Sequence, residues 1–233
     1  MTSLRRRLRR RLGRAALRAQ FLLFQRHRHR RLVLEQLDDL SLLVLPDVFH
    51  PGLFFSSRLF AEALAAEPLE GQRVLEVGTG TGFLALVAGR RARQTIGTDI
   101  NPEAVRALTI NALLNRLEER VTARQGDLFQ PVAGERFDLI LFNPPYFAPD
   151  LAGRARDLWE YSWRDVNRTR ARFVEQAAEH LNPGGRVLIC DSDIAVDRMD
   201  RALAAAGFQV TSLRSRTVVS GEVLTVFAAA RAA

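Results

Sequence analysis

The chain has 233 residues, 47% of them hydrophobic, which is enough for one well-buried domain with a modest extension and too little for two full domains. Its formal charge of +8 is unevenly placed: every basic residue is arginine, residues 1–31 carry 12 of the 34 and no acid, and the remainder is left at −4. A single cysteine, Cys190, excludes an intrachain disulfide and a multi-cysteine zinc site, no apolar run reaches the length of a membrane span, and the apolar stretch Phe21–Phe24 is too short for the core of a secretory signal, so a cytoplasmic protein is expected.

The first predicted element is a basic amphipathic arm over residues 1–45. Leu4, Leu8, Leu12, Ala15, Ala19 and Leu22 recur at three- and four-residue spacing and so share one helical face, with arginines on much of the rest and Gly13 as an interruption. Such a helix can lie on RNA, on an acidic partner or on an acidic membrane surface, or it can stay a solvated tail. The folded body is residues 46–233. Leu40 to Pro51 reads as a transition with turn signals at Pro46 and Pro51-Gly52, and a helix follows over Ser57–Ala66.

From residue 72 short apolar runs alternate with amphipathic stretches. Strands are predicted at Arg73–Val77, Thr95–Asp99, Val121–Gln125, Leu139–Phe142, Arg186–Cys190, Gln209–Leu213 and Val223–Ala228. Helices are predicted at Phe83–Arg91, Pro102–Asn115, Val166–His180 and Ala195–Ala206, with Asn182-Pro183-Gly184-Gly185 turning from a helix into the next strand. The alternation predicts an α/β sheet with helices on both faces. The short connection near Ser220-Gly221 predicts a hairpin, and with it an antiparallel end to the sheet.

Two motifs sit at predicted strand ends. Val74-Leu75-Glu76-Val77 runs into Gly78-Thr79-Gly80-Thr81-Gly82 and then a helix, an arrangement that lets a ligand approach the backbone and meet unpaired N–H groups. The third glycine falls one place early for the dinucleotide fingerprint, which points to a nucleoside rather than a dinucleotide. Asp99 ends the next strand, where a carboxylate can accept two ribose hydroxyls; Ile100 can lie against an adenine, and Asp127 of Gly126-Asp127-Leu128 can meet its amino group. For each aspartate the competing reading is a helix cap or turn residue.

The second motif is Asn143-Pro144-Pro145-Tyr146, after the strand Leu139–Phe142. Two prolines fix φ and remove two donors, leaving a stiff turn with exposed carbonyls. The Asn143 side-chain oxygen and the Pro144 carbonyl can each accept one N–H of a planar amine, and Tyr146 can stack on a flat group. A plain proline turn is the competing reading.

Taken in order, Glu76 to Gly82, Asp99-Ile100-Asn101-Pro102, Gly126-Asp127-Leu128-Phe129 and Asn143 to Tyr146 resemble the class I methyltransferases, and within them the HemK/PrmC branch that methylates a glutamine side-chain amide in release factors. The resemblance spans Gln72 to Phe147. It implies a Rossmann-like seven-stranded, mostly parallel sheet with an antiparallel last strand, S-adenosylmethionine as cofactor, and methyl transfer to a planar amino nitrogen. It implies that Gly78, Gly80, Asp99, Asp127 and Asn143 contact the cofactor or the target amine; with the motif reading, the expected cofactor-binding set is Glu76, Gly78, Thr79, Gly80, Thr81, Gly82, Asp99, Ile100, Asp127, Leu128 and Asn143, and the expected catalytic set Asn143, Pro144, Pro145 and Tyr146. Residues 46–233 are then the methyltransferase domain.

The acceptor stays open among a protein amide, an RNA base and a small-molecule amine, and a nucleoside-binding module without chemistry is the remaining alternative. Asp150 to Arg170 contributes Trp159, Tyr161 and Trp163, either to an acceptor site or to a segment packed on the body. His27, His29, His50 and His180 form no metal pair and read as surface or capping residues.

Overall fold

The computed structural model describes residues 31–144, 168–193, 195, 198–218 and 221–231. The arm helix expected over Leu4–Leu22 lies outside the described residues, as do His27, His29, Pro145, Tyr146, Trp159, Tyr161 and Trp163.

The chain enters as an antiparallel hairpin of β1 (Val33–Leu37) and β2 (Leu40–Val44), turned at Asp38, whose φ of +55° is one that aspartate tolerates. Sequence reading placed the end of the arm and a transition here. The alternation that makes these strands is short: Leu37, Leu40, Leu42 and Val44 are buried while Leu34 and Gln36 face out. Five-residue strands beside a long arginine-rich stretch carry too little period-two signal to stand out.

A 3₁₀ turn, Pro51–Leu53, leads to α1 (Phe55–Leu64). The body then alternates β3 (Arg73–Val77), α2 (Phe83–Gly89), β4 (Gln94–Asp99), α3 (Pro102–Leu114), β5 (Val121–Gln125) and β6 (Phe137–Phe142). After the undescribed 145–167 come α4 (Thr169–Ala177), β7 (Leu181–Ser192), α5 (Met199–Ala205), β8 (Phe208–Thr217) and β9 (Val223–Arg231). The seven long-sheet strands lie in the order β5-β4-β3-β6-β7-β9-β8, with β9 antiparallel to both neighbours and the pairs from β5 to β7 parallel. This is the mostly parallel sheet with an antiparallel last strand that the sequence predicts.

Period-two alternation sorts the central strands into two cores. Val74, Leu139, Leu141, Leu188 and Val226 face α1, α2 and the hairpin, where Leu59, Phe60 and Leu64 are fully buried. Leu75, Val77, Ile140, Phe142, Val187 and Ile189 face Phe173 of α4 and Met199 and Leu203 of α5. Strands covered on both faces read as continuous apolar runs, which is why β3 and β6 were legible. Truncating Phe60 or Phe173, each fully buried, removes about 3–5 kcal/mol.

Two element boundaries and the placement of two histidines differ most from the sequence reading. Asn182 to Gly185 does not separate helix from strand; it is a bulge inside β7, between the pairs Phe137↔Leu181 and Leu139↔Arg186. The helix expected from Ala195 begins at Met199, where the Asp191 carboxylate accepts the Met199 N–H at 2.8 Å. His50 and His180 are buried rather than on the surface: His180 stacks on Phe129 with ring centroids 4.6 Å apart, and its Nδ1 lies 2.9 Å from the Glu135 carbonyl.

Candidate functional site

Chain order reverses between β3 and β6: successive strands run outward from β3 through β4 to β5, and the chain then returns to β3's other side. Parallel sheets leave a crevice at such a switch point, outside the carboxyl ends of the strands. A pocket lies there, lined by the ends of β3, β4 and β6, the turn after β5, and the start of α4.

Its floor is the glycine turn. Gly80 has φ +55°, which glycine adopts without cost, and a Cβ there would sit 3.5 Å from Phe49. The Gly80 N–H donates to Asp99 Oδ2 and the Asn101 N–H donates to Asp99 Oδ1, both at 2.9 Å. Each of these two bonds uses a single lone pair of its oxygen, and two vicinal hydroxyls require one on each. Burial raises the Asp99 carboxyl above its usual range, opposed by these backbone donors. Ile100 beside it is 49% exposed and forms pocket wall. Asn101 caps α3 by accepting the Glu103 N–H at 2.9 Å, with Pro102 in the first turn.

Glu76 is almost wholly buried. Its Oε2 accepts the Thr79 hydroxyl at 2.5 Å and the Ala85 N–H at 2.9 Å, and burial nonetheless pushes its carboxyl up to about 8. Of the residues expected at the cofactor, Glu76, Gly78, Thr79, Gly80, Thr81, Asp99, Ile100, Asp127, Leu128 and Asn143 line this one pocket. Gly82 is the exception: it starts α2 at φ +82°, and a Cβ there would lie 2.2 Å from Leu108, so its smallness serves helix packing.

Asn143 and Pro144 stand at the end of β6 on the pocket wall. The Asn143 Oδ1 is buried with no hydrogen-bond partner among the described residues. An amide oxygen in that condition costs about 1–3 kcal/mol unless a ligand donor meets it. Just below, Phe142 stacks on Phe173 at 4.2 Å.

Several pocket residues are not among those assigned to the site from the sequence. Phe49 and Phe54, stacked at 4.5 Å on either side of Pro51-Gly52, form the wall over the glycine turn. Ser56 and Ser57 come from the start of α1. Arg172 of α4 donates to Asp127 at 2.5 Å, so Asp127 is half of an ion pair as well as a pocket residue. Only the aromatics flanking a turn signal could have hinted at the first pair; the last joins residues 45 apart. Among the described residues no cluster of His, Cys, Asp or Glu has metal-ligand geometry, and no helix is long and apolar enough to cross a membrane.

Comparison with known proteins places this geometry in context. The Methyltransferase small domain family model matches residues 39–204. A putative protein N5-glutamine methyltransferase of Methanocaldococcus jannaschii is 30% identical over 201 residues, covering 84% of this chain and 98% of that protein. The release factor glutamine methyltransferase of Cereibacter sphaeroides is 42% identical over 142 residues, covering 55% of this chain and 49% of its own length. The chain thus spans nearly all of the archaeal relative and about half of the bacterial one. Among solved structures, the 16S rRNA N2 G1207 methyltransferase of T. thermophilus, bound to AdoMet and guanosine, superposes with a TM-score of 0.67 at 22% identity, over 87% of this chain and 50% of that one.

Proposed function

The chain belongs to the Methyltransferase small domain family, and we propose that it transfers a methyl group from S-adenosylmethionine to a planar amino nitrogen, namely the side-chain amide of a protein glutamine. The observation that carries this reading is Asn143: a buried amide oxygen without a partner among the described residues, next to Pro144, on the wall of the crevice that Asp99 and the glycine turn also line.

The residues fit the cofactor. The Asp99 carboxylate keeps lone pairs for the ribose diol, Ile100 offers a half-exposed apolar face for the adenine, and the Gly78–Thr81 turn leaves room for the methionine portion. When bound, S-adenosylmethionine supplies a methyl already activated by its sulfonium, so the protein's share is alignment and electrostatics. Asn143 Oδ1 and the Pro144 carbonyl accept the two N–H groups of the incoming amide. Those bonds hold the nitrogen in register with the methyl and raise the electron density of a lone pair that conjugation otherwise withdraws. With S-adenosylmethionine bound, its methyl would pass from sulfur to the nitrogen held by Asn143 and Pro144, leaving S-adenosylhomocysteine as the by-product, and one amide proton would go to solvent. No dedicated base is required, because the nitrogen becomes acidic once it is alkylated. Bonds that strengthen as the nitrogen gains positive charge act on turnover rather than on ground-state binding.

An RNA base presents the same planar amino group, and the arginine-rich residues 1–31 together with the likeness to a ribosomal RNA enzyme favour it as the second reading. Incubating the full chain with methyl-tritiated S-adenosylmethionine and a cell extract, then separating protein, RNA and small-molecule fractions, decides between them. Label in the protein fraction is expected. Label confined to RNA would replace the amide acceptor with a base, and no label in any fraction would end the enzyme reading.

A further inference from the structure

The β1–β2 hairpin is held to α3 by side chains that imitate a neighbouring strand. Asn115 Oδ1 accepts the Ser41 N–H at 3.0 Å and Asn115 Nδ2 donates to the Ser41 carbonyl at 2.8 Å. One helical turn earlier, Asn111 Oδ1 accepts the Leu43 N–H at 2.7 Å and Asn111 Nδ2 donates to the Leu43 carbonyl at 3.0 Å. The registers match because four helical residues rise about 6 Å and two strand residues advance about 6.8 Å. Two asparagines at i, i+4 therefore satisfy the outer edge of β2, whose other edge is paired with β1. A third, Asn101, donates to the Asp47 carbonyl at 3.0 Å.

Asn111 does one thing more. Fully buried, it donates its second amide hydrogen to the Thr81 carbonyl of the glycine turn at 2.9 Å. The strand it grips continues into Asp47, Val48 and Phe49 and, past Pro51, into Phe54, all of them pocket wall. One carboxamide thus ties the floor of the pocket to the wall facing it, and none of its hydrogen-bonding groups is left over.

We infer that Asn111 is a positioning residue for cofactor binding: it fixes the glycine turn against the Phe49–Phe54 wall without touching the ligand. This rests on the reading of the pocket as the S-adenosylmethionine site. Asn115 is the internal control, since it holds the same hairpin but makes no bond to the turn.

The test is S-adenosylhomocysteine affinity by titration calorimetry on the full chain, paired with amide exchange of Gly80 to Gly82 in the absence of ligand. Asn111→Ala is expected to weaken binding about tenfold and to speed exchange in the turn, while Asn115→Ala stays within about twofold of the parent in both. Should Asn111→Ala not fold, Leu43→Pro removes the N–H that Asn111 accepts and leaves the Thr81 bond in place; about threefold weaker binding is expected. Parent-like affinity in Asn111→Ala, or in Leu43→Pro where it stands in, overturns the inference. So does an equal loss in Asn115→Ala, which would mark general loosening of the hairpin. A parent chain that binds no S-adenosylhomocysteine overturns the cofactor reading and the inference together.

Discussion

Glu76 shows how a single buried side chain makes the fold sensitive to pH. Burial is the main cause that lifts its carboxyl to about 8 from an ordinary 4.5, with the nearby Asp99 charge adding to it and the Thr79 and Ala85 bonds opposing. The folded chain therefore keeps a proton that the unfolded chain releases above about 4.5. The contribution of Glu76 to stability is complete below that pH, falls as pH rises towards 8 by at most about 1.4 kcal/mol per unit, and levels off beyond. Glu76→Gln preserves the shape and an acceptor for both donors but removes the titration. The difference in urea unfolding free energy, variant minus parent, should rise between pH 4.5 and 8 and then flatten. Parallel profiles would mean that Glu76 ionises equally in both states.

Among the elements, α4 connects the segment after Asn143-Pro144 to the pocket. Thr169 and Arg172 face the cavity, while Arg170 turns inward to Asp191 at 2.9 Å, both almost inaccessible. Asp191 also accepts the Ser192 and Met199 N–H groups, so one carboxylate joins α4, β7 and α5. Arg170→Ala leaves that charge buried without its cation, and a loss of about 3–5 kcal/mol in urea unfolding is expected. A loss below about 1 kcal/mol would show that water replaces the guanidinium.

The element scale also explains what was legible in the sequence. β3 and β6 announce themselves because each is buried on both faces and reads as an apolar run, whereas β4, buried as deeply, has Ile96 as its one large apolar residue and is marked by its place in the alternation. Gly80, Asp99 and Asn143 stand at or just after strand ends, and that position brings them to one pocket. The β1–β2 hairpin was not legible, because its five-residue strands carry little period-two signal, and the residues that complete its outer edge, Asn111 and Asn115, lie some 70 residues away and look in sequence like ordinary polar residues of a helix. Gly82 was read as facing the ligand, yet the chain uses it to let Leu108 approach, since one glycine turn serves both purposes with similar residues. The Asp127–Arg172 pair has no local signature at all.

For the whole molecule, charge is divided rather than shared: 12 arginines without an acid in residues 1–31, and a remainder at −4. If the first 31 residues provide phosphate contacts, RNA binding by the full chain should weaken steeply with salt, and removing them should flatten the slope of log affinity against log salt by several units. Equal slopes with and without those residues would relieve them of that role. The same comparison bears on the acceptor, because a protein amide needs no such surface.

The central claim is that Asn143 holds a planar nitrogen for methylation while the Asp99 end of the crevice holds the cofactor. Its most direct test is mass-spectrometric location of the transferred methyl on the labelled acceptor, with S-adenosylhomocysteine affinity measured alongside in the parent, Asn143→Ala and Asp99→Ala. The expected result is a methyl on a side-chain amide nitrogen, turnover lowered at least about a hundredfold in Asn143→Ala at near-parent affinity, and affinity lost chiefly in Asp99→Ala. A methyl on carbon or oxygen, or equal loss of affinity in both variants, would contradict it.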